Sequence, residues 1–555
     1  MKRKKSIPVG LKKEAAHREE KKLISSWISF RLLILLLLLL AGIVWYGFFA
    51  IHTNEISGSD DREYASIARN IVNGKGIVRN FVYPVDINFF EKLPVPEFMH
   101  PPGYPLILAG FFKLFGVSDI AAVLPSYLSY FILVILFFYF VKTVSEIQTA
   151  VIATVILIFS KDILDVSIVA LSEAVYTLFF FLFFMVFVKA KSLRDIFVAG
   201  ILLGASHLIR ENIYPFLIPL FASLYFHPDL PRSKKMIYFI TGILIPIIPN
   251  TIRSYIDTGS PFFSYGKFVL MAFTEKYPGL SIYRDIQNPS LVDFLREATG
   301  QIFLKYLSNL ANTLKEIIFN FNPCLLVFFI WEMLYWKISP ECKRIKLLFI
   351  SLFASQILFV CLFTATHRFF ISFLPMMIMF ASQSVLRVSN TLATRVKVQW
   401  RRRIFLLSSF LFLILFIIPT AHLIITSKGP PQLGFKIPQT YYLMPREEAK
   451  KLIHFLEDEL KEDQVVWTDL PEILEWEGNR FCGWLPIRIE RIYEINKKVP
   501  VDAILITNFG TTIRPIEEEW KHLLQSEQSL PQFRKVKLYK SWPIFAKLLI
   551  RDERE

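Results

Sequence analysis

Apolar runs of about 18 to 22 residues recur along the chain, each long enough as a helix to cross a hydrocarbon core of roughly 30 Å. The first is "FRLLILLLLLLAGIVWYGFFAI". Inside lipid a backbone must satisfy its own polar groups, so such runs can only become helices. They predict spans near residues 28–50, 121–142, 148–162, 166–188, 195–211, 213–227, 236–256, 318–336, 346–366, 368–386 and 404–426, about eleven in all. Composition agrees with this. The 555 residues are 54% hydrophobic and only 20% charged, and a soluble chain of this length would carry more charge. The expected fold class is mainly α, a polytopic transmembrane helical bundle.

A net charge of +16 in a soluble chain would suggest nucleic acid. Here the positive-inside rule accounts for it, and no nucleic-acid partner is expected. The loops "KAKSLRD", "PDLPRSKK", "KISPECKRIK" and "RVSNTLATRVKVQWRRR" are all basic and fall on one predicted side. Residues 1–27 then form a basic cytoplasmic tail, and residues 51–105 a first external loop with interfacial helices. The first run is too long, follows a long charged tail and lacks a small-x-small cleavage site, so it does not read as a cleaved signal peptide.

The membrane domain is read as 28–426. After Thr426 the pattern changes: "SKGPPQLGFKIPQ" reads as a linker, and strands and helices alternate beyond it. Residues 427–555 are therefore expected to form an extracytoplasmic α/β domain, with a helix over "REEAKKLIHFLEDEL", strands over "QVVWTD" and "VDAILITNF", a helix over "IERIYEINKK" and a closing hairpin. Its Trp467, Trp476 and Trp484 suit core packing or sugar stacking. The four cysteines lie far apart with no CxxC pair, which supports neither a zinc site nor a disulfide framework.

Polar residues at the predicted external ends carry the chemistry. In "DDREYASIARNIVNGKGI", Tyr64, Ile67, Ala68, Ile71 and Val72 make a one-faced helical stripe, and such a helix is expected to lie flat at the interface. Asp60 then reads as its N-cap, with Glu63 completing a capping box. Arg210, Arg253 and Arg368 stand at three external span ends, against the charge bias. They fit snorkelling anchors or an anionic group held between them, and a guanidinium suits phosphate. Glu173, inside the fourth span, is a functional carboxylate or a partner for an arginine. Asp162 and Asp165, in the loop "SKDILDVS", lie on the same side, and His367 adjoins Arg368.

Together these stretches resemble the GT-C superfold of membrane glycosyltransferases, in particular the family 39 group of protein O-mannosyltransferases and the aminoarabinose transferase of lipid A. "DDREYASIARNIVNGKGI" looks like the first-loop Asp-x-x-x-Tyr helix, and "HPPGYPLILAGFFKLFG" like the Pro-Pro-x-Tyr-Pro turn. "ALSEAVYTL", "PNTIRSYIDTGSPFF" and "HRFFISFLP" are similar to three later elements. The resemblance implies an inverting enzyme that moves a sugar from a polyprenyl or dolichyl phosphate to a glycan, lipid or protein acceptor at the external face. It implies Asp60 as catalytic acid, with Asp61 and Glu173 as candidates for support. Arg210, Arg253 and Arg368 would hold the donor phosphate, and Tyr64, His100, Tyr104, Asp162, Asp165 and His367 would be candidates for substrate contact. It implies no cofactor. Asp60 and Asp61 could ligate a divalent cation, but no metal site is favoured. The rival readings are a transporter or flippase for lipid-linked sugars, which would use broken helices at midplane, and a non-catalytic membrane sensor.

Overall fold

The structure, a computed structural model, describes residues 9–50, 56, 58–91, 93–226, 231–426, 444, 446–509, 518–541 and 543–552. The expected linker lies outside the described residues. The chain opens with α1 (Val9–Ala50) and α2 (Ser59–Val72), then α3 (Gly103–Phe115) and α4 (Asp119–Val144). Next come α5 (Ile147–Ile158), α6 (Lys161–Ser167), α7 (Ser172–Val188) and α8 (Leu193–Ile209). They are followed by α9 (Leu217–Tyr225), α10 (Arg232–Thr258), α11 (Gly266–Met271) and α12 (Leu291–Asn320). The helical part closes with α13 (Pro323–Leu334), α14 (Pro340–Val360), α15 (Leu374–Thr394) and α16 (Val398–Thr426).

Among the described residues five helical stretches are long and apolar enough to cross a membrane, or seven if each of two bent pairs is one span. α5 and α6 meet at 56°, and α12 and α13 at 113°. Two expectations change here. "SKDILDVS" is the helix α6 rather than a loop, and the fourth span starts at Ser172 instead of 166. The apolar faces sort by depth. Phe180, Phe181, Phe183 and Phe184 of α7 are fully buried, whereas α10 and α16 keep most of their apolar windows outside the protein interior, as helices facing lipid do.

α8 and α10 cross at near-backbone contact. A methyl group on Gly200 would stand 2.4 Å from the Phe239 carbonyl, and one on Gly242 2.4 Å from that of Phe197. Small residues four apart, Gly200 and Gly204, open this crossing.

The polar loop after α1 supplies β1 (Val78–Arg79), β2 (Phe81–Val82) and β3 (Val95–Pro96). Beyond α16 follow α17 (Arg446–Glu459), β4 (Val466–Thr468), α18 (Pro471–Gly478), β5 (Cys482–Trp484), α19 (Arg491–Ile495), β6 (Ala503–Thr507), β7 (Lys535–Ser541) and β8 (Ile544–Ile550). The six-stranded sheet has the order β2-β5-β4-β6-β8-β7, parallel from β2 to β6 and antiparallel at β8 and β7. Its first strand therefore comes from the loop, with Phe81 opposite Cys482 and Val82 opposite Gly483. Trp467, Trp476 and Trp484 are all buried.

The flat interfacial helix expected at α2 is a further correction. Its residues Asp61 to Ala68 are all buried, polar and apolar alike, because it is packed between α3 and α18. A helix with protein on both sides has no need of a single apolar face.

Candidate active site

Four elements bring their ends together at this buried helix. Glu173 stands in the first turn of α7, where unpaired backbone N–H groups favour a negative charge. Arg210 is the extended residue that ends α8. Arg368 is in the 3-10 turn His367–Phe373 that leads into α15. Asp60 is in the first turn of α2. Arg210 Nη1 donates to Glu173 Oε1 at 2.7 Å, and Arg368 Nε donates to the same oxygen at 2.7 Å. Arg368 also turns its two terminal nitrogens toward Asp60 Oδ2, at 3.3 and 3.4 Å. The Arg210 guanidinium lies 4.6 Å from the Phe369 ring centre.

Exposure separates the two carboxylates. The Glu173 side chain is 3% exposed and that of Asp60 is 45% exposed. Glu173 is thus a buried counter-charge that aims two guanidinium groups. Asp60 is the acid that a molecule entering the site would meet. Two cations beside an open carboxylate can hold an anion and accept a proton next to it.

One turn along α2 from Asp60, Tyr64 begins a further set of contacts. Tyr64 Oη donates to Ser172 Oγ at 3.4 Å, and its ring packs against His100 and edge-on to the buried Tyr104. His100 Nε2 lies 2.9 Å from Glu63 Oε2. Burial alone would lower the His100 pKa, but the Glu63 carboxylate outweighs it and lifts the imidazole to about 9. Burial also raises the Glu63 carboxyl, against the opposing pull of the His100 charge. Asp61 is raised as well, again by burial, which lifts its carboxyl to about 6.

The remaining candidates sort as follows. Arg253 draws on a different set of partners from Arg210 and Arg368. It donates to the Glu97 carbonyl at 2.8 Å and to Asn250 Oδ1 at 3.1 Å, and lies over the Phe98 ring. His367 approaches Glu316 at 3.3 Å and Asp162 at 3.9 Å. Asp165 is paired with Lys161. The N-cap reading of Asp60 is corrected: Gly58 is the N-cap, with no side-chain cap bond, and Glu63 faces His100 instead of closing a capping box. Asp61 is 5% exposed and accepts from the Arg62 N–H, so it does not share Asp60's opening. Among the described residues no group of three or more His, Cys, Asp or Glu could hold a metal ion.

Sequence reasoning missed a buried polar cluster that shapes the loop. Arg79 pairs with Asp86 at 2.6 Å and with Glu97 at 3.2 Å. Tyr265 donates to the same Asp86, and Glu97 Oε1 accepts from the His100 N–H at 2.6 Å. The stretch "VRNFVYPVD" holds Arg79 and Asp86 seven residues apart, with no regular pattern to mark them as a pair. Through Glu97 the cluster ties His100 to the Arg253 segment.

Residues 99–252 match the family model described as dolichyl-phosphate-mannose-protein mannosyltransferase. No curated protein sequence matches the chain significantly. Among solved structures the chain is similar to ArnT from Cupriavidus metallidurans bound to undecaprenyl phosphate. That match has 10% identity and a TM-score of 0.55, and covers 93% of this chain and 97% of that one. It is also similar to the apo oligosaccharyltransferase of Archaeoglobus fulgidus, with 10% identity and a TM-score of 0.55 over 85% of this chain and 69% of that one. The fold is that of the GT-C membrane proteins, and the chain is an integral membrane protein.

Proposed function

We propose that the chain is an inverting glycosyltransferase that takes a sugar from a polyprenyl or dolichyl phosphate and passes it to an acceptor at the external face of the membrane. The observation that carries this is the meeting of Asp60 with Arg368, and of Arg368 with Arg210 on Glu173, in a chain of this fold. ArnT bound to undecaprenyl phosphate shares the fold, which supports a lipid phosphate as the donor's carrier. The mannosyltransferase-type match over 99–252 supports sugar transfer.

In this reading an acceptor hydroxyl attacks the anomeric carbon while Asp60 takes its proton. A new C–O bond forms on one face as the bond to the phosphate oxygen breaks on the other, which inverts the centre. The leaving lipid phosphate departs with the electron pair, and Arg210 and Arg368 stabilise its charge. Each guanidinium about 4 Å from that charge would contribute on the order of 4 kcal/mol at an effective dielectric near 20. Glu173 keeps the two cations apart and aimed before the donor arrives, while Arg253 holds the 97–100 segment rather than the phosphate. His100 stands on the acceptor side, with Tyr64 and the buried Tyr104 packed behind it.

The bent pairs α5–α6 and α12–α13 favour a second reading, a transporter of lipid-linked sugars with broken helices. One experiment separates the two. In Asp60→Asn, transfer from a panel of labelled polyprenyl-phosphate sugars should collapse while undecaprenyl phosphate still binds. A variant that keeps full transfer would remove Asp60 as the base. Movement of lipid-linked sugar across vesicles in the same variant would favour the transporter.

A further inference from the structure

α2 carries the reacting carboxylate, yet its N-terminus lacks the usual side-chain cap. Ser59, at its first position, donates to Glu472 Oε1 of α18 at 2.8 Å, with Glu63 Oε1 of its own helix a longer second acceptor at 3.4 Å. Glu472 is 6% exposed. Ser59 is the immediate neighbour of Asp60, so this bond fixes the backbone from which the base projects. At the other end of α2, the Arg69 guanidinium donates to the backbone carbonyls of Glu475 at 2.5 Å and Trp476 at 2.9 Å. Its guanidinium also lies 4.9 Å from the Trp476 ring centre. Glu475 Oε1 in turn accepts from the Asn80 N–H at 2.7 Å, just before β2 joins the sheet. α18 therefore holds α2 at both ends, while the opposite flank of α2 rests on α3.

We propose that α18 of the C-terminal sheet region is a positioning element for the reaction, with Glu472 setting Asp60 against Arg368 through Ser59. The inference rests on the glycosyltransferase reading above. Glu472 touches neither reacting atom. It acts by tying the helix end to α18, in addition to the bond that Asp61 accepts from the Gly58 backbone. Arg368 meets Asp60 only at the long end of hydrogen-bond range, 3.3 Å. A small displacement of α2 would therefore part the base from the cation that marks the leaving-group side. Misplacement by about 1 Å costs roughly 100-fold in rate in well-oriented sites.

The test uses the full chain in detergent with the panel of labelled polyprenyl-phosphate sugars, and binding of undecaprenyl phosphate as the separate readout. Glu472→Ala and Ser59→Ala should each lower kcat by roughly 100-fold while donor affinity and the thermal midpoint stay near those of the parent. The two changes combined should lose less than the sum of the two alone, because both remove the Ser59–Glu472 bond. Glu472→Gln keeps an acceptor oxygen for Ser59 and should recover most of the rate. Parent-like turnover in both alanine variants overturns the proposal. So does a fall in kcat, donor affinity and thermal midpoint together, which would mean only that the fold needs the contact. Asp60→Asn, measured alongside, separates the two levels. If it is inactive while both alanine variants are active, only the positioning role fails. If it is active, Asp60 is not the base and this inference falls with that assignment, whereas a parent chain that transfers none of the labelled sugars overturns the glycosyltransferase reading itself.

Discussion

At the residue scale, Glu173 meets two guanidinium groups with one carboxylate in a nearly closed site. Removing it would leave buried cations facing each other. Glu173→Ala should lower unfolding stability by roughly 3 to 5 kcal/mol, as breaking buried ion pairs does, seen as a drop in the thermal midpoint in detergent. The Glu63–His100 pair predicts a pH signature. Its folded-state imidazole is lifted from 6.5 to about 9, so its stabilisation is complete below the ordinary value and lost as pH rises through about 9. The pair is worth up to about 3 kcal/mol. Glu63→Gln should therefore melt below the parent near pH 6.5, and the gap should close by about pH 10. Charge bias made the arginines legible in the sequence, since Arg210 and Arg368 stand at span ends where cations are unexpected. Their partners were not. Glu173 and Arg368 are 195 positions apart, and Asp60 and Arg368 308. Nothing local distinguishes them from Arg253, whose guanidinium goes to a carbonyl instead.

At the element scale, the α8–α10 crossing places Arg210 because α8 ends at the site. A methyl on Gly200 or Gly242 would collide with backbone that cannot rotate away. Gly200→Ala and Gly242→Ala should each destabilise by about 1 to 3 kcal/mol and weaken undecaprenyl phosphate binding, both measured in detergent. Gly110, in α3, has open space where its side chain would be. Gly110→Ala should be neutral or stabilising by up to about 1 kcal/mol. Long apolar runs made most helices legible, because lipid leaves no other backbone solution. Breaks within them were less so: α6 is written in the same polar residues that signal a loop. The stripe on α2 correctly indicated a helix but not its burial, since the covering α18 lies about 400 residues later.

At the scale of the whole molecule, the sheet region and the helical bundle share parts. β2 belongs to the loop in sequence and to the sheet in space. Arg446 of α17 pairs with Asp119 of α4 at 2.7 Å and with Glu477 at 3.4 Å. A protease site engineered between residues 427 and 443 should therefore release no fragment on cleavage. The part beyond it should co-purify with the bundle in detergent, and Arg446→Ala should ease its loss at raised salt. The alternation of strands and helices after residue 440 was readable because each keeps its own hydrophobic period. The two-residue strand Phe81–Val82 has no period to read. That strand also sets an order of events during synthesis. Phe81 leaves the ribosome about 400 residues ahead of Cys482, its neighbour in the sheet. At roughly 5 to 20 residues per second that is a delay of about 20 to 80 s. Throughout it the early segment waits for a companion that translation has not yet delivered, so a slow codon or a stalled insertion late in the message would leave the nascent reaction centre unfinished.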